Sequence, residues 1–177
     1  MKFLHIADVH LGLAPDAGKP WSSRRQQDIW DSFREVLAVA EREKVDLVLI
    51  AGDLFHRQPL MRELKQVNEL FSGLTRTKVA LIAGNHDYMH PRSNYRGFSF
   101  AENVIFFDRE QIKGVELPEY QACIYGLSYW HKEITDGLYD ALRPKDPAKI
   151  NILLAHGGDA KHIPMSEAAL RQNGFDY

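Results

Sequence analysis

Residues 45–57 read VDLVLIAGDLFHR. The first seven form a short apolar run of the kind found in a strand covered on both faces. A strand of that type belongs inside a layered, largely parallel sheet. Two similar runs flank it, KFLHIA (2–7) and KVALIA (78–83). Between the first pair, residues 23–44 carry Trp30, Phe33, Leu37 and Ala40 on one helical face, and Ser22 or Ser23 offers a cap. Between the second pair, Leu60, Leu64, Val67, Phe71 and Leu74 make another helical stripe. The order β-α-β-α-β predicts an α/β fold, with a parallel sheet and helices on its faces.

Further along, VIFF (104–107), QIKGVEL (111–117) and QACIYGL (121–127) follow one another with little room for helices, and read as a more antiparallel stretch. ITDGLYDAL (134–142) reads as a short helix. KINILLA (149–155) is a strand again. SEAALRQNG (166–174) is a helix capped by Ser166 and ended by Gly174. No internal repeat or linker divides the chain.

Apolar residues make up 45% of the 177 and charged residues 26%, a globular composition. The formal charge of -2 excludes binding of nucleic acid by bulk positive charge and leaves only a local patch for it. The single cysteine, Cys123, has no disulfide partner in the chain and suits a reducing compartment. Lys2 and the apolar residues after it begin like a signal peptide, but His5, Asp8 and His10 interrupt the run. No run approaches the roughly 20 residues of a membrane helix. The expectation is a cytoplasmic protein without membrane contact.

The residues just after each buried run carry the chemistry. Behind the first come Asp8 and His10. Behind the second come Gly52, Asp53 and His56. Behind the third come Gly84, Asn85, His86 and Asp87, and behind the last His156, Gly157 and Gly158. In open α/β sheets ligands bind beyond the carboxyl ends of the strands. One Asp or Asn after a strand is ordinarily turn chemistry, and His5, His90, His131 and His162 are read singly as polar loop residues. Four strand ends bearing this set together point to metal. Carboxylate, imidazole and amide oxygen without thiolate suit Mn²⁺, Fe²⁺ or Zn²⁺. A carboxylate such as Asp53 bridges two cations, and two metals about 3.5–4 Å apart suit phosphoryl displacement. Gly52 and Gly84 let backbone and a metal or substrate come close.

DVH, GDLFHR, GNHD and HGG, in this order on strand ends, resemble the calcineurin-like metallophosphoesterase superfamily. MKFLHIADVHLG, VDLVLIAGDLFHR and HGGDAKHIPMSEAALRQNGFDY are most similar to the SbcD-type DNA repair exonucleases. The resemblance implies an αββα layered fold. It implies two divalent metal ions, with Mn²⁺ first and Fe²⁺ or Zn²⁺ as alternatives. Asp8 and His10 would hold one metal, Asp53 would bridge, and Asn85 and His156 would hold the other. His86 would protonate the leaving oxygen and Asp87 would orient His86. His56 reads equally as a second phosphate contact and as a loop residue. The implied reaction is hydrolysis of DNA phosphodiesters by a metal-bound hydroxide, with an SbcC-type ATPase as partner and a homodimer as a further expectation. Hydrolysis of a nucleotide or other small phosphoester is the alternative, and a non-catalytic scaffold a third. Relatives of this kind carry a Gly-His-x-His motif soon after GFDY, and the chain ends at Tyr177 before it. The expectation is therefore a single domain, 1–177, truncated at its C-terminus. SSRRQQ (22–27), Arg57, Arg92 and Arg96 are candidates for a phosphate rim, set against solvated surface charge.

Overall fold

The computed structural model describes residues 1–177. Strand β1 (Phe3–Ile6), β2 (Leu47–Ala51), β3 (Lys78–Ile82) and β4 (Val104–Phe106) form one sheet in that order, all parallel. Strand β5 (Lys113–Leu117), β6 (Ala122–Gly126) and β7 (Ile150–Leu154) form a second sheet, with β5 antiparallel and β7 parallel to β6. Helix α1 (Ser22–Arg42) and helix α2 (Met61–Ser72) follow β1 and β2, and α3 (Glu167–Gln172) follows β7.

All five residues of β2 are buried because the strand alternates between two cores. Val48 and Ile50 face the helices, where they join Trp30, Phe33, Leu37, Leu64, Val67 and Phe71. Leu47, Leu49 and Ala51 face the second sheet, where they meet Ala122, Ile124, Ile152 and Leu154. A third cluster, with Leu127, Tyr129, Ile134, Tyr139 and Ile163 at its centre, covers the far side. The layers are thus helices, sheet, sheet, and an outer layer of loops with the short α3.

Several sequence expectations change. VIFF pairs parallel to β3, at the register Val79–Val104 to Leu81–Phe106. The crossover that makes this possible runs through 83–103 without a helix, so no periodicity announced it. Residues 134–142 form no helix. Ile134 is instead tied to the chain at Lys161 and Ile163 by backbone bonds, and Tyr139 is buried in the third cluster. Neither Ser22 nor Ser23 caps α1, whose N-cap is Trp21. The turn before it takes over, since Asp16 accepts from Arg25 and from the Trp21 indole at 2.7 and 3.0 Å. Leu60 lies outside its stripe and is exposed. Helix α2 starts there because Glu63 reaches back to the Leu60 N–H at 2.8 Å. The α3 caps are those expected, with Ser166 accepting from Ala169 and Gly174 at positive φ.

Candidate metal centre

Beyond the ends of β1 and β2 the two segments stay paired. The N–H groups of Asp8, His10 and Leu11 donate to the carbonyls of Gly52, Asp53 and Leu54, and His56 N–H returns to Leu11. This ladder sets His10 and His56 beside Asp53. Asp8, His10 and Asp53 all have left-handed backbones, with φ of 53°, 54° and 50°. That conformation is costly for a residue with a Cβ and collects at functional sites.

The side chains converge. His10 Nε2 lies 3.7 Å from Asp8 Oδ1 and 3.9 Å from Asp53 Oδ2. His156 Nε2 lies 3.7 Å from Asp53 Oδ2 and 2.9 Å from Asn85 Oδ1. Asp53 is almost fully buried and its other oxygen accepts from His86 N–H at 2.9 Å. Its carboxylate therefore stands between two donor groups, Asp8 with His10 and Asn85 with His156. A cavity of about 350 Å³ opens over Asp8, Asn85 and His156.

Two glycines permit this crowding. A Cβ on Gly84 would fall within the Asp53 carboxylate, and one on Gly52 would come within 2.7 Å of the His156 ring. At both positions the group that approaches closely is a neighbouring donor side chain.

The donor set fits a cation. His156 Nδ1 is 2.9 Å from the Ala51 carbonyl, which can only accept, so Nδ1 carries the proton. In the neutral ring Nε2 then turns a lone pair toward Asn85 Oδ1, another acceptor. A positive ion between them satisfies both, and the nearby carboxylate supplies charge. Tyr129 donates its hydroxyl to the His156 carbonyl and steadies that loop.

A second cluster borders the first. His10, His56 and His86 hold ring nitrogens within 4.8 Å of one another. His56 Nδ1 is 3.4 Å from His10 Nδ1, and His86 Nδ1 is 3.0 Å from the His56 carbonyl. Burial lowers the pKa of His56, and the neighbouring His86 and His10 rings lower it further.

Asp87 does not touch His86, against expectation. It is buried and accepts from Gly84 N–H at 2.7 Å, Phe55 N–H at 3.1 Å and Tyr95 Oη–H at 2.9 Å. Burial raises its pKa to about 6, against the pull of those donors. Asp87 is the pin between two site loops, and the His56 carbonyl is the group that orients His86. Tyr95, unremarked in the sequence, completes the pin.

Other side chains also stand differently from their sequence reading. His5 and His162 line the cavity with Asp159, whereas His90 and His131 do not. His162 is held by Asp159 at 2.7 Å. His5 lies within β1, opposite Leu49, rather than in a loop, three residues before Asp8. Of the candidate phosphate rim, Arg25, Arg57 and Arg96 are engaged with Asp16, Glu63 and Glu110. Arg57 and Glu63 pair through both arms, at 3.0 and 2.8 Å, which fixes the loop after His56 to the start of α2.

The family model for calcineurin-like phosphoesterases matches residues 1–177. Among the relatives, a DNA double-strand break repair protein Mre11 from Aeropyrum pernix is 43% identical over 124 residues, covering 68% of this chain and 27% of that protein. The Mre11 of Methanocaldococcus jannaschii is 29% identical over 175 residues, covering 93% of this chain and 46% of its own length. An uncharacterised metallophosphoesterase, YhaO of Bacillus subtilis, is 29% identical over 196 residues, covering all of this chain and 47% of that protein. The chain spans less than half the length of each of these relatives.

Proposed function

Because this chain belongs to the calcineurin-like phosphoesterase family, we propose that it is the catalytic part of a metal-dependent phosphodiesterase that cleaves DNA in repair. The observation that carries the reading is the Asp53 carboxylate standing between the Asp8–His10 and Asn85–His156 donor groups. Asp8, His10 and Asp53 would hold one divalent cation, and Asp53, Asn85 and His156 a second. Mn²⁺ is the metal proposed, with Fe²⁺ and Zn²⁺ as alternatives on the same donors. When bound, such a pair supplies Lewis-acid charge and an activated water for in-line attack on phosphorus.

The protein's own groups do the remainder. His86 commits Nδ1 to the His56 carbonyl, which leaves Nε2 free. Protonated there, it gives its proton to the leaving sugar oxygen. His56 stands beside it as a contact for a phosphate oxygen. The Asp87 pin keeps the loops that bear Phe55 and Gly84 in register. The similarity to Mre11 proteins supports DNA as the substrate. For the complete protein, the resemblance of its motifs to SbcD-type nucleases is the basis on which an SbcC-type ATPase partner, a homodimer and a cytoplasmic location are proposed.

The test is turnover with Mn²⁺ on duplex DNA, on an aryl phosphodiester and on an aryl phosphomonoester. DNA and diester cleavage, abolished by chelator, is the expected result. Ready hydrolysis of the monoester with DNA left intact would move the protein to another substrate class. No turnover on any of the three by the complete protein would favour the non-catalytic scaffold.

A further inference from the structure

A cavity of about 420 Å³ lies on the second sheet, away from the metal-binding side chains. Arg109, Lys113, Arg143 and Lys145 line it, and no carboxylate does. All four are exposed. None of them forms an ion pair, whereas the adjacent cations Arg96 and Lys149 are matched with Glu110 and Glu116. The Arg143 guanidinium donates only to the carbonyls of Asp140 and Leu142, which aim it without neutralising it. Four unmatched positive charges around one hollow stand out in a chain whose formal charge is -2.

The hollow is built rather than incidental. Lys145 N–H donates to the Tyr125 hydroxyl at 2.8 Å, which ties the 143–145 loop to β6. Leu142 and Ile112 pack onto the third apolar cluster, so both walls rest on the core. It also lies at the metal end of the molecule. Lys113 is opposite Gly126, and Gly126 is opposite Leu154, two residues before His156. With neighbouring strands about 4.8 Å apart, the Lys113 backbone is roughly 10 Å from that of Leu154.

We propose that this cavity is a second anion site that anchors the phosphate backbone of a nucleic acid whose scissile phosphate lies at the metal centre. The proposal rests on the reading of DNA as substrate. At about 3.4 Å of rise per phosphate on each strand, the anchored phosphate belongs to a nucleotide a few steps from the cut. Lysine and arginine heads at such a distance add affinity and register without reading bases.

The experiment measures duplex DNA affinity against salt for the complete protein, for R143E/K145E, and for R42E/K44E. Arg42 and Lys44 lie before β2, at the opposite end of the sheet, and control for bulk charge. R143E/K145E is expected to weaken binding about tenfold or more and to reduce the salt slope by about 1–2, with bound manganese and melting temperature those of the parent. R42E/K44E should leave the slope unchanged. Unchanged DNA affinity in R143E/K145E, or equal loss in both variants, overturns the anchor and leaves the DNA reading standing. A parent protein that hydrolyses an aryl diester and binds no DNA overturns both.

Discussion

His86 and Asp87 are neighbours with separate duties, and two substitutions tell them apart. His86→Ala removes the ring whose free nitrogen is proposed to protonate the leaving oxygen. Turnover should fall about 10²–10⁴-fold, with bound manganese near the parent value. Loss of the metal instead would make His86 a ligand. Asp87→Ala removes the acceptor of Phe55 N–H, Gly84 N–H and Tyr95 Oη–H. Leaving buried donors unmatched should cost about 2–4 kcal/mol in denaturant unfolding, and Tyr95→Phe about 1 kcal/mol. A stable Asp87→Ala protein would mean that the pin carries little. The sequence showed Asp87 next to a histidine, and a carboxylate there reads naturally as its orienter. Besides the Gly84 amide three positions back, the true partners are a tyrosine eight positions on and an amide thirty-two positions back, and no local pattern announces these two.

Among the elements, the loops matter more than the strands they extend. Gly84 bears directly on the bridging carboxylate, because a Cβ would come within 2.5 Å of Asp53 N and 2.8 Å of its carboxylate carbon. Gly84→Ala should displace Asp53, weaken manganese binding at least tenfold, and lower turnover with it; calorimetric titration checks the first. Unaltered binding would show that the loop yields easily. The elements themselves were largely legible. Trp30, Phe33, Leu37 and Ala40 are the four buried residues of α1, as their spacing implies. Burial on two faces explains why β2 reads as continuous apolar sequence. Legibility stopped where periodicity stopped. The parallel placement of β4 follows an irregular crossover, and residues 134–142 answer to packing of Tyr139 rather than to helix propensity.

The candidate site belongs to the molecule as a whole. Asp8, Asp53 and Asn85 follow three strands of the first sheet, and His156 follows a strand of the second. Asn85 and His156 meet only because the sheets are packed face to face through Leu49, Ala51, Ile152 and Leu154. Cations bound across that seam must stabilise the packing of the sheets by linkage. Manganese at 100 times its dissociation constant should add about 2.7 kcal/mol to unfolding, read as a raised melting temperature that chelator reverses. No shift would separate the site from the seam. The ordered motifs on strand ends made the residue set legible from sequence. The partition of charge between the seam and the basic hollow at Lys113 and Arg143 was not, since it depends on which cations the fold leaves without a carboxylate. The dinuclear arrangement is decided by anomalous diffraction at the manganese edge, from crystals of the complete protein soaked in Mn²⁺. Two peaks about 3.5–4 Å apart are expected, with Asp53 against both, Asp8 and His10 against one, and Asn85 and His156 against the other. No peak at this end of the sheets, or a single peak held by His10, His56 and His86, would refute it.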